Sequence, residues 1–154
     1  MSRNDGKKRI LAVSSGGGHW VQLRRVVPAF DGHAVTYVTV NPSYRADVPE
    51  HRLRVVRDAT QWDKLGMIVL GLQMLWVMIR VRPDVVISTG AAPGCLAIIL
   101  GRLFGARTIW LDSIANVETL SMSGRLVRRF AGLWLTQWSH LAEDEGPAYA
   151  GRVF

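Results

Sequence analysis

Residues 10–20 read ILAVSSGGGHW: four apolar residues, two serines, three consecutive glycines, an ionisable ring and a tryptophan. Each glycine loses more conformational freedom on folding than any other residue, so three in a row mark a turn with a backbone requirement. The apolar run before them has the composition of a buried strand. A glycine-rich turn from such a strand into a helix presents backbone N–H groups and the positive helix end at the carboxyl edge of a sheet, where anions, phosphates above all, bind.

The rest of the chain repeats this alternation. Strands are expected at Arg9–Ser14, Ala34–Val40, Leu53–Val56, Val85–Ser88, Thr108–Leu111 and Leu133–Gln137, and helices at about 19–30, 62–81, 93–104 and 121–131. The ten residues NPSYRADVPE, 41–50, carry two prolines and read as a surface loop. Near-continuous apolar strands separated by helices predict an α/β fold: a doubly wound, parallel, Rossmann-like sheet covered on both faces. At 154 residues the chain, 1–154, is expected to form one domain. With 49% hydrophobic residues and mean hydropathy +0.14, it has ample material for a core.

The formal net charge is +7, and only Lys7, Lys8 and Lys64 among the basic residues are lysine. Such a surface favours anionic partners. Nucleic acid is not expected, because the basic residues are spread along the chain without a helix-turn-helix or RNP-like pattern. Nor is a metal, since the four histidines are scattered, Cys95 is the single cysteine, and no acid pair of the D-x-D kind occurs. Cys95 itself reads as a buried thiol. The opening MSRNDGKKRI lacks the apolar core of a signal peptide, which makes the cytoplasm the expected compartment.

Spacing excludes two uses of the glycine turn. No lysine follows it, so it is not a P-loop, and Val21 stands where the dinucleotide fingerprint begun by Gly16 and Gly18 needs its third glycine. What remains is G-G-G-H, with His19 in the first turn of a helix. The positive helix end disfavours a second positive charge, and a neutral imidazole accepts a proton, the property of a general base acting on a sugar hydroxyl. Two more loops leave the same sheet edge: Ser88-Thr89-Gly90-Ala91-Ala92-Pro93-Gly94, and Asp112-Ser113-Ile114-Ala115-Asn116-Val117-Glu118. Ligands of open α/β sheets bind outside the carboxyl ends of the strands, where these three loops converge.

Residues 65–79, LGMIVLGLQMLWVMI, contain no charge. A helix of that length spans roughly 22 Å, short of the roughly 30 Å hydrocarbon layer. It is apolar all round, which leaves two readings: burial within the sheet packing, or an outer face in the membrane interface. In the second, Leu72 faces the apolar layer, Trp62 and Trp76 anchor the helix, and Arg80 and Arg82 lie at headgroup level.

SSGGGHW, PDVVISTGAAPG, LDSIANVETLSMSGRL and the late LTQWSHLA resemble the acceptor-side subunit of split GT-B glycosyltransferases. In eukaryotes this is the membrane-anchoring half of the enzyme that adds the second N-acetylglucosamine to the dolichol-linked chitobiose precursor. Bacterial counterparts serve exopolysaccharide and capsule assembly. The first loop is also similar to the G-G-x-G-G-H loop of the transferase that completes the lipid-linked peptidoglycan precursor. The resemblance runs from Lys8 to about Phe154 and implies the N-terminal half of a GT-B enzyme. Such a subunit holds a lipid-linked saccharide and the membrane, while a separate donor-binding subunit, its heterodimer partner, binds most of the UDP-sugar co-substrate. No cofactor is implied.

The resemblance places Gly16, Gly17, Gly18 and His19 near the acceptor and the donor diphosphate, with His19 catalytic. Ser88, Thr89, Gly90 and Gly94 match the second loop, and Asp112, Ser113 and Glu118 the third. Relatives can carry Glu where Asp112 stands. The eukaryotic subunit generally begins with a transmembrane helix that this N-terminus does not show, so attachment is expected to fall to 65–79 or to surface charge, at the cytoplasmic face of a bacterial inner membrane. A non-catalytic scaffold that only anchors the donor-binding partner is the alternative. Whether 121–138, with Arg125, Arg128, Arg129, Trp134 and Trp138, faces the partner or the core stays open.

Overall fold

Strand β1, Arg9–Val13, lies fully inside the molecule from Ile10 onward. Its side chains alternate between two cores: Leu11 and Val13 pack on one face of the sheet, Ile10 and Ala12 on the other. A strand buried on both faces has no polar side, which is why its sequence shows no alternation.

The computed structural model describes residues 6–153; Met1–Asp5, within the segment read as lacking a leader, and Phe154 lie outside the described residues. The other strands are β2, Ala34–Thr39; β3, Arg52–Val55; β4, Val85–Ser88; β5, Arg107–Leu111; β6, Leu133–Thr136; and β7, Ala148–Tyr149. All pair in parallel, in the order β3-β2-β1-β4-β5-β6-β7. The order reverses between β1 and β4, whose register sets Leu11 beside Val86 and Val13 beside Ser88. That reversal is the topological switch point of a doubly wound sheet.

Among the described residues four α-helices cover the sheet: α1, Gly18–Arg25; α2, Lys64–Val81; α3, Ala91–Leu103; and α4, Met122–Val127. Leu70, Met74 and Met78 of α2 and Ala97 and Ile98 of α3 share the core of Leu11, Val38 and Trp110. On the opposite face Trp20 and Leu23 of α1 pack with Tyr37 and Val48. Truncating a side chain as enclosed as Leu70 or Met74 costs about 2–5 kcal/mol.

Four local expectations change. The helix expected over 19–30 stops at Arg25, and Val27–Phe30 continues as a 3-10 turn with Pro28 near its start. The helix expected over 121–131 ends at Val127. Thr108 Oγ1 donates to the Phe130 carbonyl and accepts from Gly132 N–H, which ties that backbone to β5. Within the loop 41–50, Pro42–Asp47 forms a 3-10 helix capped by Asn41 Oδ1, which accepts from Ser43 N–H. The two-residue β7 has no counterpart in the pattern. Cys95 is half-buried, and desolvation pushes its thiol up.

Helix α2 is bounded at both ends. Asp63 caps it by accepting from Gly66 N–H at 2.8 Å, and Arg82, in the left-handed conformation (φ 48°), ends it before Pro83. Within this chain only 28% of the helix is buried, so the sheet packing covers one stripe of it. Leu65, Ile68, Leu72, Trp76 and Ile79 stay exposed on the other side, as does Trp62 just before the helix. It is the one helix among the described residues long and apolar enough to cross a membrane by length and composition.

Candidate functional site

The loops after β1, β4 and β5 meet at the switch point. A cleft of about 250 Å³ opens there, lined by His19, Thr89, Gly90, Asp112, Ser113 and Asn116 among others.

His19 sits in the first turn of α1. Its Nδ1 lies 2.9 Å from the Thr89 carbonyl oxygen. A carbonyl only accepts, so Nδ1 carries the proton and donates, and in the neutral ring Nε2 keeps the lone pair. Thr89 Oγ1 donates in return to the His19 carbonyl at 2.7 Å. Gly90 makes this approach possible. A Cβ on Gly90 would lie 2.4 Å from ring atoms of His19, and the residue's φ is +147°. Ala91, which follows at φ +66°, is a non-glycine residue in left-handed conformation at the cleft wall.

The triglycine turn is shaped from outside. Gly17 holds φ +61°, a conformation that glycine adopts without penalty, and its N–H donates to Tyr44 Oη at 2.9 Å. The Tyr44 ring stacks on Trp20, with centroids 4.7 Å apart, and Trp20 Nε1 donates to Asp47 Oδ2 at 2.8 Å. The 3-10 helix 42–47 is therefore what holds the turn. Neither α1 nor α3 has a side-chain cap, so the first-turn amides of both helices end at the switch point without one.

The third loop is built on Asp112, which is 1% exposed. Its carboxylate accepts from Trp110 Nε1 at 3.1 Å, from Ser121 N–H at 2.9 Å and from Ser121 Oγ. These bonds close the loop 112–121, so Asp112 acts on the cleft's shape. Ser113 Oγ accepts from Gln22 Nε2 at 3.1 Å, Gln137 Nε2 donates to Gln22 Oε1 and to the Asp112 carbonyl, and Val153 N–H donates to Gln137 Oε1. Trp138 Nε1 donates to the Ile114 carbonyl at 2.8 Å, and His140 Nε2 to the Val117 carbonyl. The segment 137–140 thus clamps the third loop from behind.

The expected residues divide accordingly. His19, Thr89, Gly90, Asp112 and Ser113 line the cleft. Ser88 and Gly94 lie behind it, Ser88 Oγ accepting from Gly90 N–H and Gly94 packing on Ser88. Gly16, Gly17 and Gly18 form the neighbouring turn outside its lining, and Glu118 is exposed beyond it. Leu72, Trp76 and Arg80 lie on the exposed side of α2, with Trp62 exposed just before it and Arg82 exposed at its C-cap. Trp138 holds the loop, whereas Arg125, Arg128 and Arg129 are exposed. Gln22, Gln137 and Tyr44 were not anticipated. Gln22 and Gln137 carry a signal only as polar residues inside apolar segments, and Tyr44 carries none. Among the described residues no group of three or more histidine, cysteine or acidic side chains is gathered as metal ligands.

Residues 43–153 match the family model described as "Oligosaccharide biosynthesis protein Alg14 like". The chain belongs to the Alg14-like family. Among its relatives, the human UDP-N-acetylglucosamine transferase subunit ALG14 is 30% identical, the alignment covering 94% of this chain and 82% of the human protein. The mouse subunit of the same name is 24% identical with the same coverage.

In fold, this Alg14-like chain is similar to MurG of Acinetobacter baumannii, with TM-score 0.76 and 11% identity over 93% of this chain and 45% of that one. It is similar also to a UDP-N-acetylglucosamine 2-epimerase from Rickettsia bellii, with TM-score 0.66 and 14% identity over 96% of this chain and 46% of the epimerase. The chain thus spans a little under half the length of these solved enzymes and has the Rossmann-like architecture expected of it.

Proposed function

We propose that this chain is the acceptor-side subunit of a two-component glycosyltransferase. It moves N-acetylglucosamine or another hexose from a UDP-sugar to a lipid-linked saccharide in oligosaccharide or polysaccharide assembly. The observation that carries the reading is the His19–Thr89 pair. It holds an imidazole at the switch-point cleft with Nδ1 as donor and Nε2 as the nitrogen able to take a proton. The family, and relatives named as subunits of a UDP-N-acetylglucosamine transferase, support a two-component enzyme.

The reaction is an inverting displacement. An acceptor hydroxyl oxygen bonds to the anomeric carbon as the bond from that carbon to the UDP oxygen breaks. The hydroxyl proton passes to His19 Nε2, and UDP leaves with the electron pair. The first-turn amides of α1 and α3 face the negative charge that develops. A donor-binding partner subunit supplies most of the UDP-sugar site. The exposed apolar side of α2 rests in the bilayer interface at the cytoplasmic face and brings the cleft to its lipid-borne acceptor.

Reconstitution with the donor-binding subunit, radiolabelled UDP-N-acetylglucosamine and a lipid-linked saccharide tests this. The chain alone transfers nothing, the complex transfers sugar, and His19→Ala in the assembled complex lowers the rate about 10²–10⁴-fold. Transfer by the isolated chain overturns the two-component reading. An unchanged rate in the His19→Ala complex makes the chain an anchor for a catalytic partner.

A further inference from the structure

The edge strand β3 carries arginines where its neighbours carry core residues. In register, Arg52 stands beside Thr36 and Arg54 beside Val38, on the face of the sheet that α2 covers. Alongside them, α2 carries Arg80 in its last turn and is capped by Arg82. These four side chains line one cavity of about 330 Å³ with Thr36, Ile79 and Val81. Among the described residues the ion pairs are Arg9–Asp84 and Arg57–Asp63, so no described carboxylate stands at ion-pair distance from any of the four. Glu50 lines a neighbouring cavity with Arg52 and Arg80 but pairs with neither, so four guanidiniums gather with at most one carboxylate near them, an arrangement that is unfavourable in the free protein and points to an anionic ligand.

A second cavity adjoins the first. It is a groove of about 530 Å³ between β3 and the outer side of α2, lined mainly by apolar side chains such as Leu53, Val55, Val69, Leu72 and Trp76. Arg54 lines both cavities. Its guanidinium carbon lies 5.2 Å from the centroid of the Trp76 ring, and that of Arg80 lies 5.8 Å from it, so the two cations flank one indole at the junction.

We infer that the adjoining cavities form a site for one anionic phospholipid, its phosphate among Arg52, Arg54, Arg80 and Arg82 and an acyl chain along the β3–α2 groove. The pairing of an arginine pocket with an apolar groove through a shared residue matches an amphiphile and neither a free anion nor a neutral lipid. Guanidinium forks suit phosphate oxygens, and an indole beside them suits the headgroup boundary. The inference rests on the membrane reading of α2 and adds to it a choice of lipid and a fixed end: the arginine end of the helix lies at headgroup level.

Flotation of the full chain with vesicles of phosphatidylcholine alone, and of phosphatidylcholine mixed with phosphatidylglycerol, tests it. The mixed vesicles bind more tightly. Arg54→Gln and Arg80→Gln each weaken that binding about five-fold, the effect of one cation at an anionic surface, and leave binding to the neutral vesicles unchanged. Arg129→Gln, which removes equal charge from an exposed position before β6, toward the opposite edge of the sheet from β3, changes neither. Phosphatidylglycerol with brominated acyl chains quenches the tryptophan emission of the wild type more than that of Trp76→Phe.

Equal binding to both kinds of vesicle overturns the lipid site and leaves the membrane reading standing, the arginines then guarding an edge strand against pairing. A loss in Arg129→Gln as large as in Arg54→Gln makes the effect diffuse charge, and equal quenching in Trp76→Phe removes the groove. Displacement from mixed vesicles by inorganic phosphate at constant ionic strength makes free phosphate the ligand. Failure to bind either vesicle overturns the membrane reading itself.

Discussion

His19 and Thr89 exchange two hydrogen bonds across the switch point, ring Nδ1 to carbonyl at 2.9 Å and hydroxyl to carbonyl at 2.7 Å. The pair fixes which nitrogen of the ring carries the proton, because a carbonyl can only accept. It also ties the first turn of α1 to the loop before α3, two segments seventy residues apart in sequence and brought together by the β1–β4 pairing.

Gly90→Ala tests how closely that ring is held. The added methyl would lie 2.4 Å from the imidazole at a φ of +147°, so the ring or the loop must move. The variant is expected to unfold about 1–3 kcal/mol more easily and to lose most transfer activity in the reconstituted complex. Full activity would show that the observed ring position is dispensable.

Gln137→Leu leaves the Asp112 carbonyl and Val153 N–H without their partner inside the protein and removes one of the two donors to Gln22 Oε1, the other being Ile114 N–H. Each orphaned buried group costs about 1–3 kcal/mol. Urea unfolding should show a loss of at least that size. In Gln22→Leu/Gln137→Leu the two losses should fall short of additive, since the residues share a bond.

Tyr44→Phe keeps the ring on Trp20 and removes only the oxygen that accepts from Gly17 N–H. A stability loss of about 0.5–1.5 kcal/mol is expected, together with faster hydrogen exchange at Gly17. An unchanged exchange rate there would mean that Tyr44 does not hold the turn.

Asp84 accepts from the Arg9 guanidinium at 3.2 and 3.1 Å and from Arg9 N–H at 2.8 Å, joining the starts of β1 and β4. These bonds, the Arg9 side chain first, hold its carboxyl below the usual carboxylate range. A depressed carboxylate stabilises the fold above its unfolded pKa, and the contribution fades as pH falls through the folded value. Urea midpoints of the wild type and Asp84→Asn should therefore differ at neutral pH and converge in acid. A constant gap would mean that the bonds do not depend on the charge.

The parallel sheet was legible because β1, β2, β4 and β5 are buried on both sides and read as apolar runs, each with its own turn signal. The three loops were legible because Gly-rich and Asx-rich turns interrupt those runs at strand ends. Tyr44 was not legible, since nothing local to 41–50 records that its ring meets Trp20. Gln22 and Gln137 were hidden for the same reason: the bonds of Gln22 to Ser113 and to Gln137 span about ninety and more residues. The motif LTQWSHLA was visible as a resemblance, and its work as the clamp on 112–117 appears only in three dimensions. β7 has two residues, too few for any period.

The sheet order bears on how the chain emerges from the ribosome. Strands β1 to β3 and then α2 leave the exit tunnel before β4 exists to pair with β1 and before α3 exists to cover Leu70, Met74 and Met78. For that interval α2 has only the β1–β2 side of its packing, and its remaining apolar surface is displayed. Domains form N-terminal first during translation, and such exposed intermediates aggregate. Synthesis close to a bilayer, or under a chaperone, shelters α2 until its permanent neighbours arrive, and expression yield should fall when translation is uncoupled from both.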